Sequence, residues 1–496
     1  MGKNNHKDKD KEYEKKKEKK AHKKHDDCGC NHKEVERQVN NPGNDIVRFP
    51  RITQSETSLA RFKNFILYGF NDSNDASFSG FAFSNNLGES WTDGGSLPIN
   101  PGGVNGGDPS IAVDRNGVFY YSQNGTENIN GTPEDVISVS TGTINPDGTI
   151  TMNPPQIVGR GQNPGFQDKA WITVGPDANN PGNEALYIAW TDFSQPNSGS
   201  KIRFSKFSTG ITLTPIIQSK TIVSGTNETF GAFPVVDSRG NIFVFYESRL
   251  PGSFTQLGVP NRSIRMAKST NGGTTFSINV QVSNGLFEAA ATNVVSCGPN
   301  NNRPVILVDQ QRVIRMFEIP QAAIGADGTI YVVWNAGTVV GIRTFIDVYL
   351  AYSRDEGNSW NQVKITNNLS HSYFPSIAVN SKGAHVQYNH FNDPEGIGGI
   401  GDGTFGIFTK TFSLANDLTA ERMVSNRFSP VPINNPNFDP GIANCYMAEY
   451  NQVITGPGSC LLHSWGDNRN ILNGQHNPDV FFKLTASKKK DDGDCD

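Results

Sequence analysis

The sequence predicts an all-β fold, a β-propeller of six or seven blades with seven favoured, because three features occur together along its 496 residues. Apolar residues come in short runs, separated by turn-forming residues that include 51 Gly and 28 Pro. A two-strand pattern recurs along the chain, and three of its copies are followed by a shared octapeptide. Many short strands joined by regular turns are typical of propellers and barrels.

The recurring pattern is a strand of alternating apolar residues, a turn with Asp or Asn and Gly, and a second strand rich in aromatic residues. Four segments fit it closely and three fit it loosely. In chain order the seven segments begin at Pro50, Pro109, Lys169, Phe233, Ala322, Phe374 and Glu449. Repetition at this interval suits one four-stranded blade plus loops. We expect the first strand of each segment to lie nearest the central channel.

The propeller is expected between two charged tails. Residues 1–44 are Lys-rich, contain a Cys-Gly-Cys sequence and hold almost no apolar side chain, so they are predicted to be disordered. Residues 45–486 are predicted to form the propeller, and residues 487–496 form a short charged C-terminal tail. We expect the ring to close by pairing a strand near Val47 with the last strand around Asp479–Leu484.

Composition argues against several classes of protein. The net charge of −4 includes a positive tail, so the folded part is acidic and a nucleic-acid partner is not expected. No run approaches the roughly 18–20 apolar residues of a membrane span, and the first 40 residues lack the apolar core of a secretory signal. We therefore expect cytoplasmic synthesis, with deposition on a spore or cell surface as one outcome. No cofactor and no resident metal is predicted.

The octapeptides have the form S-x-[DN]-x-G-x-[ST]-[WF]. In such a turn the Asx side chain accepts bonds from nearby backbone N–H groups, the Gly supplies a positive φ, and the aromatic ring packs beneath the hairpin. These positions are therefore predicted to be structural. They are Ser84, Asn86, Gly88, Trp91, Ser269, Asn271, Gly273, Phe276, Ser353, Asp355, Gly357 and Trp360.

These octapeptides resemble the Asp-boxes of sialidases and related BNR-repeat propellers, and the resemblance covers residues 45–485. In that family the boxes lie at blade corners away from the active site, so they indicate the fold and not the chemistry. Members resembling this chain include sialidases, other glycosidases, glycan-binding modules and scaffolds.

The resemblance also implies where a sialidase-type catalytic site would lie. An arginine near the first blade corresponds to Arg48, in Val47-Arg48-Phe49-Pro50, although only Arg and Pro match the family motif. Asp75 falls where the acid/base residue is expected, shortly before the first octapeptide. Glu288 is placed to activate a nucleophilic Tyr, which would be Tyr373 or Tyr446.

The resemblance further implies a clamp of three arginines, because a substrate carboxylate favours bidentate guanidinium groups. The strand before the first octapeptide reads Phe-Ala-Phe, where the enzymes usually present Arg. Candidates for the clamp therefore come from strand ends, and polar strand ends also supply candidate sugar-binding carboxylates. These substrate-binding candidates are Arg48, Arg249, Arg343, Arg469, Asp192 and Asp467.

Two functions remain open at this point. The first is a glycan-directed propeller, most concretely an exo-acting, sialidase-like glycoside hydrolase with a glycan or sialoside as its ligand. The second is a non-catalytic surface or assembly protein of the spore-coat or exosporium type. Its tail cysteines Cys28, Cys30 and Cys495 would cross-link it to other chains, since thiols on flexible tails reach partners readily. Arginines that converge on one cavity would favour the enzyme.

Overall fold

The computed structural model describes residues 30 and 32–486, apart from 74–76, 101, 130, 162–164, 195–198, 368–369, 394–398 and 416. The catalytic candidate Asp75 and the cross-linking candidates Cys28 and Cys495 lie outside the described residues. So do residues 1–29 of the predicted N-terminal tail and the whole C-terminal tail.

The described chain consists of β-strands and one helix, α1 (Pro42–Arg48). The strands are β1 (Glu36–Gln38), β2 (Gln54–Phe62), β3 (Phe65–Asp72), β4 (Ser79–Ser84), β5 (Thr92–Ser96), β6 (Val104–Val113), β7 (Phe119–Ile129), β8 (Thr132–Ile144), β9 (Ile150–Met152), β10 (Gln156–Arg160), β11 (Gln167–Pro176), β12 (Glu184–Asp192), β13 (Lys201–Ser208), β14 (Pro215–Val223), β15 (Glu228–Val236), β16 (Ile242–Arg249), β17 (Arg262–Ser269), β18 (Ser277–Gln281), β19 (Asn293–Ser296), β20 (Asn302–Leu307), β21 (Val313–Arg315), β22 (Gln321–Ile324), β23 (Ile330–Val340), β24 (Arg343–Ser353), β25 (Asn361–Lys364), β26 (Ser372–Asn380), β27 (Gly383–Phe391), β28 (Thr404–Phe412), β29 (Arg422–Met423), β30 (Ser429–Pro430), β31 (Gln452–Thr455), β32 (Cys460–Leu472) and β33 (Gln475–Ala486).

Antiparallel sheets of four or five strands follow one another along the described chain. They are blade 1 (β2–β5), blade 2 (β6–β10), blade 3 (β11–β14), blade 4 (β15–β18), blade 5 (β22–β25), blade 6 (β26–β30) and blade 7 (β31–β33 with β1). A three-stranded sheet, β19–β21, lies between blades 4 and 5 in sequence and is called the insert sheet below.

The first strand of each blade contacts the first strand of the next, and β31 contacts β2, so the innermost strands form a closed ring. This order confirms the predicted β-propeller and favours seven blades over six. It also confirms that the first strand of each repeat is innermost, with the aromatic-rich strand paired on its outer side. Large aromatic side chains such as Trp190 and Trp334 are buried in apolar clusters formed by the blades.

The three octapeptides share one hydrogen-bond pattern. In the first, the Ser84 hydroxyl donates to Asn86 Oδ1 at 2.8 Å and accepts from the Gly88 N–H at 2.8 Å. Asn86 Oδ1 also accepts from the Ser90 N–H at 3.0 Å, and Gly88 has a φ of 85°. The same bonds recur at the equivalent positions of the other two octapeptides. This shared hydrogen-bond geometry supports a structural role for the octapeptide residues.

The aromatic residue of each octapeptide packs on the preceding blade of the ring. Trp91 of blade 1 lies 5.0 Å from Phe482 of blade 7, measured between ring centroids. Phe276 of blade 4 packs on blade 3, and Trp360 of blade 5 packs on Phe245 of blade 4 at 5.9 Å. The octapeptides therefore join neighbouring blades as well as closing their own hairpins.

Replacing Trp91 with Ala is expected to lower the free energy of unfolding by about 2–4 kcal/mol, somewhat below the cost for a fully buried aromatic, because Trp91 is half-buried. Denaturant unfolding of the variant measures the loss, with Val47→Ala as a control because Val47 is 86% exposed. A loss below about 0.5 kcal/mol, which is typical of surface positions, would contradict the inter-blade role of the octapeptides.

Ring closure uses a different N-terminal strand from the one expected. Strand β1 pairs with β33, so Glu36 lies opposite Lys483 and Gln38 opposite Phe481. The expected partner near Val47 is wrong, because Val47 lies in helix α1 and is exposed. Residues 36–38, assigned by sequence to the 1–44 tail, thus belong to blade 7.

Cys30 forms a disulfide with Cys460 on β32, and this bond ties the segment before β1 to blade 7. The prediction that Cys30 cross-links the protein to other chains is therefore corrected, since its sulfur is already bonded within the chain. A second disulfide joins Cys297 to Cys445. No helix among the described residues is both long enough and apolar enough to cross a membrane.

Candidate functional site

A cavity of about 1450 Å³ lies where the innermost strands of blades 2, 3 and 4 face the insert sheet and the segment that precedes β31. This volume exceeds that of most small-molecule pockets, which are about 300–1,000 Å³. The cavity wall includes several carboxylates and basic side chains as well as a group of phenylalanines.

Backbone irregularities in the innermost strands place three charged residues toward the ring centre. The pairing of β2 with β3, β6 with β7 and β11 with β12 shifts register near Glu56, Asp108 and Lys169. Each of these residues has a positive φ, of 48°, 57° and 52° respectively. Positive φ is costly for residues other than Gly, and such bulges redirect side chains next to active sites. Three blades therefore use the same local device to present a charged group.

Lys169 is the centre of a buried cluster of charges. Its Nζ lies 2.9 Å from a Glu56 carboxylate oxygen, 3.0 Å from Asp108 Oδ1 and 2.9 Å from Glu449 Oε2. The Lys169 side chain is 3% exposed, so water screens these interactions little. Arg315 of the insert sheet forms a second ion pair with Glu449.

The four carboxyl groups of this region differ in proton affinity. Burial disfavours the charged forms of Asp108 and Glu449, but Lys169 lowers the pKa of Asp108, and Arg315 with Lys169 lowers the pKa of Glu449. Burial raises the pKa of Asp168 well above its ordinary value, and the negative charge of Asp108 adds to the shift. Burial likewise raises the pKa of Glu56.

Asp108 and Asp168 are held as neighbours by one amide. Asn124 Nδ2 donates to Asp108 Oδ2 at 2.6 Å and to Asp168 Oδ1 at 3.2 Å. The pair thus combines a carboxyl group whose pKa is lowered with one whose pKa is raised, and both side chains line the cavity. Two carboxyl groups with separated pKa values can divide the roles of general acid and ionised partner.

Tyr446, one of the two nucleophile candidates, lines this cavity. Its hydroxyl lies 2.9 Å from Ser55 Oγ and accepts from Asn71 Nδ2 at 2.8 Å. The same Asn71 amide donates to Glu56 at 3.3 Å. Burial raises the pKa of Tyr446 well above its ordinary value, and the charge of Glu56 acts in the same direction. The phenol is therefore protonated at neutral pH.

Arginines converge on the cavity from separate elements. Arg249 ends β16, Arg303 and Arg315 come from the insert sheet, and Arg51 follows helix α1. Arg249 is paired with Glu228 at 2.7 Å and with Glu247 at 3.2 Å.

Arg303 forms no salt bridge among the described residues, although Glu449 and Asp168 act on it electrostatically, and its Nε is buried without a hydrogen bond. Burial lowers the pKa of Arg303, and the neighbouring charge of Arg315 adds to the effect. Such a cation is suited to a negatively charged group on a ligand.

The disulfide between Cys297 and Cys445 ties the insert sheet to the segment that precedes β31. Cys297 follows β19, and Cys445 directly precedes Tyr446. The bond therefore connects the sheet that supplies Arg303 and Arg315 to the segment that supplies Tyr446 and Glu449. Among the described residues, no group of three or more His, Cys, Asp or Glu side chains is arranged to hold a metal ion.

Among the residues predicted from sequence to bind substrate, Arg249 lines the cavity and the other five do not. Arg48 pairs with Asp72 at 2.7 Å, and Asp192 accepts from Arg203 at 2.7 Å. Arg469 and Asp467 form an ion pair with each other, and Arg343 is exposed at the start of β24.

Glu288 and Tyr373, the described catalytic candidates, also lie outside the cavity lining. Tyr373 is fully buried and packs on Phe374, Phe391 and Phe405. Glu288 bridges to Gly337 of blade 5, and burial raises its pKa.

Sequence reasoning did not single out Glu56, Asp108, Lys169 and Glu449 as functional. A signal for three of them was present, because Lys169 and Glu449 begin two of the seven repeat segments and Asp108 directly precedes a third. A charged residue at the start of a strand that is expected to be innermost points toward the channel.

No protein-family model matches the chain, and no curated protein matches it. Among solved structures, the fold is similar to the GH93 α-L-arabinofuranosidase of Fusarium graminearum, with a TM-score of 0.45 and 9% identity over 92% of this chain and 98% of that one. The Trypanosoma rangeli sialidase gives a TM-score of 0.39 and 11% identity over 69% of this chain and 53% of that one. The endo-arabinase of Bacteroides thetaiotaomicron VPI-5482 gives a TM-score of 0.34 and 15% identity over 69% of this chain and 100% of that one.

Proposed function

We propose that the protein is a glycan-directed propeller whose cavity hydrolyses a glycosidic bond, most concretely as an exo-acting, sialidase-like glycoside hydrolase. The observation that carries this proposal is the carboxyl pair held by the Asn124 amide, in which the pKa of Asp168 is raised and that of Asp108 is lowered. Glycoside hydrolysis requires a protonated acid at the leaving oxygen and a second group that stabilises or attacks the anomeric carbon.

In the proposed reaction Asp168 donates its proton to the glycosidic oxygen as the bond from that oxygen to the anomeric carbon breaks. Water then supplies a hydroxyl group to the anomeric carbon, and its remaining proton returns to Asp168. Tyr446 is the candidate for a covalent intermediate. Its hydroxyl proton passes to a base as its oxygen bonds to the anomeric carbon, and the proton returns when water displaces that oxygen. Tyr446 needs a base because it is protonated at neutral pH, and Glu56 shares the Asn71 amide with it.

An acidic sugar is the favoured substrate, because Arg303 offers a positive charge to the cavity and forms no salt bridge among the described residues. The alternative is a non-catalytic assembly protein that is cross-linked to other chains through three tail cysteines. It has one fewer cysteine available, since Cys30 is bonded to Cys460. The cavity, in contrast, gives the hydrolase a site with acid, anion-binding and nucleophilic groups.

The proposal is tested by incubating the purified full chain with the 4-methylumbelliferyl glycosides of sialic acid and of glucose. We expect fluorophore release from the sialoside at a kcat/KM at least about 100-fold above that of the neutral glucoside, because a half-buried arginine without a salt bridge discriminates strongly between a charged and a neutral sugar. A heat-unfolded sample serves as the blank. Absence of release from both substrates by folded protein would contradict the hydrolase.

A further inference from the structure

Five phenylalanine rings form a continuous row along one wall of the cavity. Successive ring centroids are 6.2, 6.1, 4.8 and 5.9 Å apart along the order Phe166, Phe193, Phe230, Phe317 and Phe254. All five side chains line the cavity. We call them the phenylalanine row. Phe166 is 53% exposed, whereas Phe230 and Phe317 are buried and form the back of the row.

The charged part of the cavity comes largely from other elements. Asp108, Lys169 and Glu449 come from blades 2 and 3 and from the segment before β31. Phe230 and Phe254 come from blade 4 and Phe317 follows the insert sheet, whereas Phe166 and Phe193 flank strands of blade 3. The cavity therefore presents a charged wall around Lys169 and an apolar wall formed by the phenylalanine row, and blade 3 contributes to both.

Polar side chains beside the phenylalanine row are already engaged within the protein. Gln167 donates to Asp192 Oδ1 at 2.9 Å and to Ser194 Oγ at 3.2 Å, and its carbonyl accepts from Trp190 at 2.7 Å. Glu228 accepts from Arg249 at 2.7 Å and from the Gly252 N–H at 3.1 Å.

A sugar ring stacked on the row would place its hydroxyls against these satisfied groups. Polar groups that leave water without gaining a partner are penalised, whereas an apolar group gains from burial there. The row therefore suits an apolar group better than a second sugar.

Arginines meet the row at one end. The guanidinium carbon of Arg249 lies 4.7 Å from the Phe254 ring centroid, that of Arg303 lies 5.5 Å from the same ring, and that of Arg315 lies 5.7 Å from Phe317. The junction between the apolar wall and the charged wall is thus positively charged. A ligand that spans it would carry an anionic group next to an apolar one.

We propose that the phenylalanine row binds an apolar leaving group, an aryl or alkyl alcohol, of a glycoside whose acidic sugar lies at the Lys169 side of the cavity. This inference rests on the proposed function, because a leaving group exists only if the cavity cleaves a glycosidic bond. The substrate class is then an acidic sugar attached to an apolar aglycone, and not a chain of sugars.

The first test measures binding of free 4-methylumbelliferone, the aryl alcohol alone, by fluorescence titration of the full chain. We expect saturable binding that weakens at least about tenfold in Phe193→Ala, because that ring joins two parts of the row. Phe166→Ala is a second variant that should fold normally, since its side chain is largely exposed. Phe428→Ala is the matched control, because Phe428 lies outside the cavity lining and should leave binding unchanged. Equal affinity in all four proteins would overturn the inference.

The second test compares cleavage of an aryl sialoside with cleavage of a sialic acid linked to lactose. We expect Phe193→Ala to lower kcat/KM for the aryl substrate about tenfold or more and to leave the sugar-linked substrate unchanged. Cleavage without any effect of the row would overturn the inference and leave the proposed hydrolase standing. Row-dependent binding of the aryl alcohol without cleavage of either glycoside would overturn the proposed function and the leaving-group role together.

Discussion

Replacing Lys169 with Met is expected to lower the free energy of unfolding by about 3–5 kcal/mol at pH 7, because removal of one partner from a buried ion pair leaves uncompensated charge. Lys169 neutralises Glu56, Asp108 and Glu449 within 3.0 Å. Methionine has a similar length and fills the space, so packing changes little. Denaturant unfolding at several pH values measures the effect.

The loss should depend on pH in a defined direction. In the native protein the pKa values of Asp108 and Glu449 are lowered, so their stabilising contribution is present above the unfolded-state pKa and is lost as the pH falls. Without Lys169 these carboxylates are costly when charged. The difference between variant and wild type should therefore be largest near neutral pH and shrink toward pH 4.

Lys206→Met is a matched control for this measurement. Lys206 is equally buried but pairs with one carboxylate, that of Asp177, at 2.6 Å. Replacing Lys206 should lower the free energy of unfolding by less than replacing Lys169 does, and this loss should vary less with pH. Equal losses for the two variants, or a Lys169→Met variant as stable as wild type at pH 7, would contradict the central charge cluster.

The fold was predictable because its signals are local. Each octapeptide specifies its own turn through Ser, Asx and Gly, and the turn forms in the structure with the expected bonds. Alternation of apolar residues likewise identifies the inner strand of a blade. The closing strand β1 has no such pattern, because Glu-Arg-Gln is short and polar and pairs with the far end of the chain. Disulfide pairing is also not encoded locally, which is why Cys30 was misassigned.

The site was less predictable because its geometry depends on backbone conformations without a sequence pattern. Glu56, Asp108 and Lys169 adopt positive φ although none is Gly, and only this conformation brings them together. The insert sheet adds Arg303 and Arg315 from outside the repeat, so repeat periodicity does not reveal them. Arg249 was found because it ends a strand of the repeat.

Asp168 is expected to be the general acid, and Asp168→Asn should lower kcat for an alkyl sialoside by about 10²–10⁴-fold, which is the usual contribution of a positioned acid. Burial raises the pKa of Asp168, so its proton is retained above the ordinary range of a carboxyl group. Wild-type activity should fall as the pH rises through that pKa. The activity of the variant should not fall with rising pH in this way.

Leaving-group dependence separates acid catalysis from a structural effect. An acidic phenol needs little help from a proton donor, so the loss in Asp168→Asn should be smaller for aryl sialosides with acidic leaving groups than for alkyl sialosides. A merely structural change would lower both rates equally. Asp147→Asn, in an exposed turn of blade 2, controls for loss of a carboxylate elsewhere.

The most direct measurement of the central claim is hydrolysis of an alkyl sialoside by wild type and by Asp168→Asn side by side, with equal melting temperatures confirmed first. We expect release by wild type, a loss of at least about 100-fold in the variant, and no fall in the variant's activity as the pH rises through the pKa of Asp168. Equal rates for the two folded proteins, or no release by either, would contradict the assignment of the cavity as a glycoside-cleaving site.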